Sequence, residues 1–331
     1  MKRIGIFLAV LLLSVSALTG CAKRKTVAAT DDRTVVRVGA LKGATTMGMV
    51  KLIDDAEQGI GDTTYELTLA GSADELTPKL IKGELDIAAI PLNLAAILYG
   101  KSDGAIQLAA VNALGVLYIV ETGEPTIAAW EDLRGQTIYA TGKGSTPEYA
   151  LDYLLSMHGM RLGTDVLVEW KSEPSEVVAL MSAQEHAVAM LPQPYVTVAE
   201  TKLDGLRVVL DLTASWAELD NGSAFVTAGL VVRRAFANEH PAILEAFLTE
   251  YAASSAFVNE NPDKAAVLIE KFGIVNAPIA QKAIPHCNIV CITGKKMKDM
   301  ANGCLKVLFD RNPAVVGGAL PDEDFFYTPN P

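Results

Sequence analysis

The sequence has few of the residues on which catalytic and metal sites usually depend. It contains four histidines, four cysteines and only 6% aromatic residues among its 331 positions. The histidines are scattered, with no His-Glu-x-x-His pair, and no Gly-x-Ser-x-Gly turn occurs. We therefore predict no catalytic residue and no cofactor.

The cysteines are too few for a disulfide scaffold. Beyond Cys21 there are three, Cys287, Cys291 and Cys304. In an extended stretch the sulfurs of Cys287 and Cys291 would lie roughly 13 Å apart, beyond disulfide reach. A bridge would have to join Cys304 to one of them, and buried free thiols are the alternative that we favour. His286 beside these cysteines suggests a metal only superficially, because the spacing matches no zinc pattern and the neighbours are apolar, so no metal is predicted.

Positive charge is scarce in the main part of the chain. The formal net charge is −11, and basic residues at positions 2, 3, 23, 24 and 25 lie where there are no acidic residues. The remainder is therefore more acidic than the whole and repels phosphate backbones. We exclude nucleic acid as a partner.

Long apolar runs are also absent, apart from one at the start of the chain. Residues 4–15 carry no charge and follow Lys2 and Arg3. A run of about a dozen apolar residues is too short for a transmembrane helix and has the length of a signal-peptide core. We interpret residues 1–20 as a signal peptide, and an uncleaved signal anchor is the alternative.

The signal segment ends in Leu18-Thr19-Gly20-Cys21. This tetrapeptide resembles the bacterial lipobox, in which the cysteine becomes the lipidated first residue of the mature protein. The resemblance implies lipidation at Cys21, and therefore an extracytoplasmic protein that is anchored to the bacterial cell membrane without spanning it. We predict that residues 21–33, which are polar and lack periodicity, form a flexible tether.

The rest of the chain alternates strand-like apolar runs with helical periods, in two comparable series. Strands separated by helices of this length indicate right-handed crossovers and a mainly parallel sheet. The turn-rich segment 121–125 separates the series, and a strand at 225–233 is placed to return to the first one. We predict an α/β protein of two lobes, with hinges near 121–125 and 223–227. The predicted boundaries are 34–122 and 225–331 for the first lobe, and 123–224 for the second.

Two local patterns carry a family resemblance. The segment 130–138 (WEDLRGQTI) opens the second series, and 83–90 (GELDIAAI) forms a strand after a helix, although its equivalent at 183–190 (AQEHAVAM) is degenerate. With the lipobox, these features resemble solute-binding lipoproteins of ABC importers, in the nitrate/sulfonate/taurine class that also includes binders of thiamine precursors. The resemblance implies the type II periplasmic-binding-protein fold, with two doubly wound α/β lobes joined by hinge strands. It also implies a monomer that captures a small molecule between the lobes and delivers it to an ABC permease.

The ends of the predicted strands contain the candidate binding residues. In an open α/β sheet, ligands lie at the carboxyl ends of strands, where helix N-termini present unpaired amides. Five loops in such positions carry glycine, hydroxyl or amide groups, and helix capping is the alternative role for the hydroxyls. The expected ligand-binding residues are Gly43, Thr45, Thr46, Ser72, Asn93, Gly142, Gly144, Ser145, Thr146 and Gln193.

The segment 141–147 (TGKGSTP) is the strongest of these signals. Its two glycines let the backbone approach a ligand, and Ser145 and Thr146 precede a proline, which predicts a bare helix N-terminus rich in donors. The spacing is not that of a P-loop. The loops at 42–46, 71–74, 91–93 and 141–147 contain no arginine. This absence favours a neutral or zwitterionic aromatic solute, or a small polar metabolite, over an anion.

Two alternative functions remain open. An enzyme of the same fold, resembling menaquinone- or thiamine-pathway enzymes, would be cytoplasmic and would carry a reactive histidine or cysteine at the cleft, which the signal segment disfavours. A lipoprotein that presents a solute to a membrane sensor, or one that is purely adhesive, would share the features of an importer component. Neighbouring genes would distinguish import from sensing.

Overall fold

The computed structural model describes residues 34–329, so the predicted signal peptide, Cys21 and the tether lie outside the described residues. Within that range the chain forms eleven strands in two sheets. The strands are β1 (Thr34–Leu41), β2 (Thr63–Ala70), β3 (Ile87–Pro91), β4 (Ile106–Leu114), β5 (Leu117–Thr122), β6 (Thr137–Thr141), β7 (Leu167–Lys171), β8 (Ala187–Pro192), β9 (Arg207–Asp211), β10 (Val226–Arg233) and β11 (Ile289–Ile292).

Helices lie between the strands and form most of the C-terminal third. They are α1 (Ala44–Met47), α2 (Val50–Glu57), α3 (Thr77–Ile81), α4 (Leu92–Lys101), α5 (Thr146–Met157), α6 (Pro174–Met181), α7 (Tyr195–Lys202), α8 (Leu212–Glu218), α9 (Arg234–Glu239), α10 (Pro241–Glu260), α11 (Pro262–Lys271), α12 (Ala277–Ala283) and α13 (Gly294–Arg311). In the described part of the chain, none of them combines the length and the apolar character that a membrane-crossing helix requires.

The first sheet has six strands in the order β11-β4-β10-β3-β1-β2. Strand β1 lies parallel to β2 and β3, while β10 runs antiparallel to β3 and β4. All five residues of β3 are buried, as is typical of a central strand covered on both faces. Strand β11 covers part of the outer edge of β4, and Phe326 bridges to Leu108 further along that edge.

The second sheet repeats this arrangement in the order β7-β6-β8-β5-β9. Strand β6 is parallel to β7 and β8, and β5 is antiparallel to β8 and β9. The antiparallel strands β10 and β5 occupy equivalent positions, β10 beside β3 in the first sheet and β5 beside β8 in the second. Each is the first strand after the chain has crossed from the other sheet. The prediction of two doubly wound α/β lobes is confirmed.

The first crossing between the sheets lies at Gly115 and Val116, between β4 and β5. The sequence prediction put the change of lobe later, near residues 121–125, and counted β5 with the first lobe. In the structure β5 pairs with β8 and β9 of the second sheet. An apolar run can be a strand of either sheet, and its composition does not reveal which one.

Close packing fixes the position of this crossing. A Cβ atom at Gly115 would lie 2.1 Å from Thr213 Oγ1 and 2.7 Å from a ring carbon of Phe225. Only glycine fits there without a shift of its neighbours. The returning chain enters β10 at Val226, which pairs with Leu114, so the two crossings lie side by side.

The C-terminal helices connect the lobes at two further places. Helix α13 packs on β4 and β10 of the first lobe and on α5 of the second. Arg311 at its end donates two hydrogen bonds to the carboxylate of Asp152 in α5, at 2.9 and 3.2 Å. Helix α12 packs on α7, where Ile279 is buried with second-lobe residues.

The three cysteines of the described range are free, as we favoured from their spacing. Cys287 and Cys304 are buried, and Cys291 is partly exposed. Burial raises the pKa of the Cys291 thiol to about 11. Because the thiolate is the reactive form, these side chains are structural rather than nucleophilic.

Candidate functional site

A cavity of about 540 Å³ lies between the two sheets. Its walls are the loops that follow β1, β2 and β3 in the first sheet and β6, β7 and β8 in the second. These are the carboxyl ends of the parallel strands, where α/β sheets bind their ligands. The volume falls within the range of small-molecule sites, roughly 300–1,000 Å³.

Most of the predicted site residues converge on this cavity. Seven of the ten line it: Gly43, Thr45, Ser72, Gly142, Gly144, Ser145 and Gln193. The other three, Thr46, Asn93 and Thr146, are buried and are not among the lining residues. Contact with a solute stays a prediction for the seven, whereas the side chains of the three have partners inside the protein.

Asn93 and Thr146 connect the two lobes. Thr146 Oγ1 donates to Asn93 Oδ1 at 3.1 Å and accepts from Asn93 N at 3.3 Å. Asn93 Nδ2 donates to the carbonyl oxygens of Val315 at 3.1 Å and Gly144 at 3.4 Å. The first turns of α4 and α5 therefore meet through a buried polar contact that also holds the C-terminal segment.

Breaking this contact should destabilise the protein. We expect Asn93→Ala and Thr146→Val each to lower the free energy of unfolding by about 1–3 kcal/mol, because each leaves a buried partner without its hydrogen bond. The double variant should lose less than the sum by at least about 0.5 kcal/mol, because both changes break the same contact. Urea denaturation of the four proteins measures the coupling, and strictly additive losses would contradict the shared contact.

The loop after β1 uses its hydroxyl groups internally. Thr45 Oγ1 and Thr46 Oγ1 both donate to the carbonyl oxygen of Leu41, at 2.9 and 2.5 Å. Gly43 faces the second lobe, since a Cβ atom there would lie 3.8 Å from the carbonyl oxygen of Gln193. What this loop offers a solute is therefore close backbone approach rather than free hydroxyls.

The loop after β2 brings the lobes together at the margin of the cavity. Glu75 Oε1 accepts hydrogen bonds from Gly71 N at 2.9 Å and Ser72 N at 3.0 Å. Glu173 of the second lobe lies over Gly71, where a Cβ atom would come within 2.3 Å of Glu173 Oε1. The missing side chain at Gly71 thus leaves room for the Glu173 carboxylate.

The loop after β6 has fewer free hydrogen-bond donors than its sequence indicated. Gly142 (φ 85°) and Gly144 (φ 74°) adopt the left-handed conformation that favours glycine. Ser145 Oγ donates to the carbonyl oxygen of Gly142 at 2.6 Å, and the Glu148 carboxylate accepts the Gly144 amide. An acidic residue in the first turn of α5 therefore occupies one of the donors that we had predicted for a ligand.

Gln193 follows β8 and is 5% exposed. Its backbone N donates to the carbonyl oxygen of Val116 at 2.9 Å, which ties the loop to the first crossing. Its Oε1 accepts from Thr197 N at 3.4 Å and Thr197 Oγ1 at 3.0 Å. No described residue accepts a hydrogen bond from Gln193 Nε2, so this amide keeps a donor at the cavity.

Charged side chains lie toward the solvent side of the cavity. The charged lining residues are Lys42, Asp74, Lys143, Lys171 and Glu176. All are exposed except Lys171, which donates to Glu169 Oε1 at 2.5 Å. Within residues 34–329, no group of three or more His, Cys, Asp or Glu side chains is arranged to hold a metal ion.

Two contributors to the cavity were missed in the sequence. The first is the end of β7 and the loop after it, with Trp170, Ser172 and Pro174. The apolar pattern at 166–170 predicts its strand, and the rule that selected the other loops applies equally to this one. The second is Thr227, on the antiparallel strand β10, for which the sequence carries no signal.

Solved structures share this fold. An ABC transporter protein from Parabacteroides distasonis superposes with a TM-score of 0.72 and 24% identity, covering 90% of this chain and 100% of that chain. The periplasmic aliphatic sulphonate binding protein SsuA from Escherichia coli has a TM-score of 0.69 and 16% identity over 89% and 92% of the two chains. For the ligand binding component of an ABC-type import system from Staphylococcus aureus, solved with zinc bound, the TM-score is 0.71 and the identity 16%, over 90% and 97%.

Sequence comparison assigns the family. No curated protein matches the chain. The model of the NMT1-like family matches residues 34–272, which begin with β1 and extend one residue beyond α11. The match includes every strand of the two sheets except β11 and all six loops around the cavity. With its two type II lobes, the chain belongs to the NMT1-like family.

Proposed function

We propose that the protein binds a small solute between its lobes, outside the cytoplasmic membrane, and delivers it to the permease of an ABC importer. The observation that carries this proposal is the cavity of about 540 Å³ whose walls come from both sheets. A solute that touches both walls has more contacts when the lobes are closed than when they are apart. Binding therefore shifts the protein toward the closed arrangement, which the permease can distinguish.

The names of similar proteins support this role. The Escherichia coli protein is a periplasmic aliphatic sulphonate binding protein, and the Staphylococcus aureus protein is a ligand binding component of an ABC-type import system. A nitrate-binding protein, NrtA from Synechocystis, shares the fold with a TM-score of 0.57. Each is named as a binding protein, which favours binding over catalysis on this fold.

The membrane anchor is part of the proposal. Lipidation of Cys21 would leave residues 21–33 between the lipid and β1. A flexible chain of this length has a root-mean-square span of about 20 Å. The cavity would then stay near the membrane surface, where an importer permease is reached without diffusion through the surrounding medium.

A ligand screen tests the proposed function. We expect the melting temperature of the protein to rise with at least one small solute, since a ligand at 100 times its Kd stabilises the folded state by about 2.7 kcal/mol. The screen should contain sulfonates, nitrate, pyrimidines, flavins and uncharged aromatic amides. A flat response to every compound would count against a solute-binding protein.

Trp170 gives this test a site-specific readout. It is the single aromatic residue among the described lining residues, and an aromatic ring can stack on a planar solute. We expect Trp170→Ala to weaken the binding of a stabilising aromatic solute about tenfold, equivalent to about 1.4 kcal/mol. Leu167→Ala is the control, because Leu167 lies on the same strand, is exposed, and is not among the lining residues. Equal affinities for the two variants would remove Trp170 from the site.

A further inference from the structure

We infer that the inner end of the cavity binds an uncharged hydrogen-bonding group of a partly apolar solute, through Thr227 and Gln193. This inference rests on the proposed function and adds the chemistry of the solute to it. Both residues line the cavity. One belongs to the first sheet and the other follows a strand of the second, so a solute that contacts both residues engages both lobes.

Thr227 is turned toward the cavity by an irregularity in β10. The register against β4 shifts between Val226 and Ala228, so Thr227 is the extra residue of a bulge. Bulges re-aim side chains and are frequent beside binding sites. Thr227 is partly exposed and lines the cavity, yet its Oγ1 is buried and has no hydrogen-bond partner among the described residues.

An unpartnered buried hydroxyl is costly, and a solute can remove that cost. Threonine populates more than one staggered χ1 rotamer, and a change of rotamer can move its hydroxyl into the position that the methyl group held, while the methyl group moves to the position of the hydrogen. In its present rotamer the Thr227 hydroxyl has no hydrogen-bond partner among the described residues. A solute with a polar atom at the inner end of the cavity gives the other rotamer a hydrogen bond, so the gain is specific to the bound state.

Gln193 supplies the second polar group. Its Oε1 is fixed by two hydrogen bonds from Thr197, so the orientation of the amide is set and Nε2 is left as a donor. Its backbone bonds Val116, and Val226 pairs with Leu114. Gln193 and Thr227 therefore both adjoin the crossing segment between β4 and β5, where the lining of the cavity is buried.

The surroundings of this pair decide what charge it accepts. The lining residues around the crossing are apolar and at most 4% exposed: Ala113, Val116, Leu117 and Ala228. The unpaired charged lining residues, such as Lys42 and Lys143, are exposed instead. An anion at the inner end would be buried without a charged partner, which is far more costly than burying an amide, carbonyl or hydroxyl group that is hydrogen-bonded. The inner end of the solute is therefore uncharged, and any charge that it carries lies at the exposed end.

The first test compares two valine substitutions in the unliganded full-length protein, purified in detergent. Thr227→Val removes the hydroxyl of the site, and Thr213→Val is the matched control, because Thr213 Oγ1 is also buried without a partner but Thr213 does not line the cavity. Both variants should melt at or above the temperature of the unchanged protein, because valine has the same shape without the unpaired polar atom. A lower melting temperature for Thr227→Val alone would show that its hydroxyl is already used in the fold and would overturn the inference.

The second test compares two probes that share a ring and differ in their polar group. Benzamide is uncharged and benzenesulfonate is an anion, and calorimetry measures the Kd of each. We expect benzamide to bind more tightly, and Thr227→Val to raise its Kd about tenfold while Thr213→Val leaves it unchanged. Tighter binding of benzenesulfonate, or a benzamide Kd that Thr227→Val does not change, would overturn the inference.

The two tests separate this inference from the proposed function. Preferred binding of benzenesulfonate leaves a solute-binding protein in place and refutes only the uncharged inner end. Failure of every compound in the wider screen refutes the proposed function itself.

Discussion

A Cys21→Ser variant is expected to incorporate no labelled fatty acid, whereas the unchanged protein is labelled. Serine keeps the size of the residue but lacks the thiol that a lipobox presents for acylation. Each buried methylene contributes about 0.8 kcal/mol to membrane binding, so several acyl chains make the anchor persistent and their loss removes it. Growth with labelled palmitate, followed by isolation of the protein and determination of its mass, measures both the lipid and the cleavage after Gly20.

Cys291→Ser is the matched control for this experiment. Cys291 is a free, partly exposed cysteine of the folded part and lies outside the lipobox. It should retain the full label. Equal labelling of the Cys21→Ser variant would refute lipidation at this position. An unlabelled parent protein that keeps residues 1–20 would instead support the uncleaved signal anchor.

Asp86→Ala is expected to destabilise the protein by about 3 kcal/mol, because it removes the acceptor of a buried ion cluster. The Asp86 carboxylate is 2% exposed and accepts from Arg37 Nε at 2.9 Å, Arg37 Nη2 at 2.6 Å and Arg233 Nη2 at 2.7 Å. It also accepts from the backbone N of Arg37 at 3.0 Å. The variant leaves two guanidinium groups without their anion. The loss lies at the low end of the range for buried pairs, since both arginines reach solvent.

The same cluster predicts a pH dependence. Burial alone would raise the pKa of Asp86, but hydrogen bonds from Arg37 and Arg233 outweigh it and hold this pKa below its ordinary value. A lowered folded-state pKa contributes stability above the unfolded-state value, about 3.9 for aspartate, and loses it as the pH falls toward the folded-state value. The difference in unfolding free energy between parent and Asp86→Ala should therefore be full at neutral pH and shrink below about pH 4.

Asp299→Ala provides the surface control for this prediction. Asp299 pairs with Lys295 one helical turn away, and both side chains are largely exposed. Exposed pairs of this kind contribute little because solvent screens them. Urea denaturation at several pH values measures all three proteins. A loss at Asp86 no larger than the loss at Asp299, or one that persists unchanged at pH 3, would contradict the cluster's role.

The strands of this protein could be predicted closely because their apolar runs are bounded by turn residues. The apolar run at 35–41 predicts a strand, which the structure has at Thr34–Leu41, and the run at 207–212 predicts the strand found at Arg207–Asp211. The helical period at residues 45–57 predicts one helix, and this prediction is wrong, because the structure has two, α1 and α2. A Cβ atom at Gly48 would lie 2.8 Å from the hydroxyl of Tyr251, a contact that the local sequence cannot reveal.

The candidate site was predictable only as far as it follows from strand direction. Loops at the carboxyl ends of parallel strands meet at one edge of a sheet, which brought Gly43, Ser72 and Ser145 to the cavity without knowledge of their neighbours. The roles of Asn93 and Thr146 depend on a contact between residues 53 positions apart, for which no local pattern exists.

The exchange of strands between the lobes has a consequence for how the chain is made. Strand β4 has no partner until β10 and β11 exist, since these are its neighbours in the first sheet. A growing chain that ends at Leu114 contains four of the six strands of the first sheet. It still lacks β10, the strand that lies between β4 and β3. Pairings of such sequence separation are slow to form. The lobe that is synthesised first is thus completed last. Both edges of β4 stay unpaired until the C-terminal third of the chain has been added.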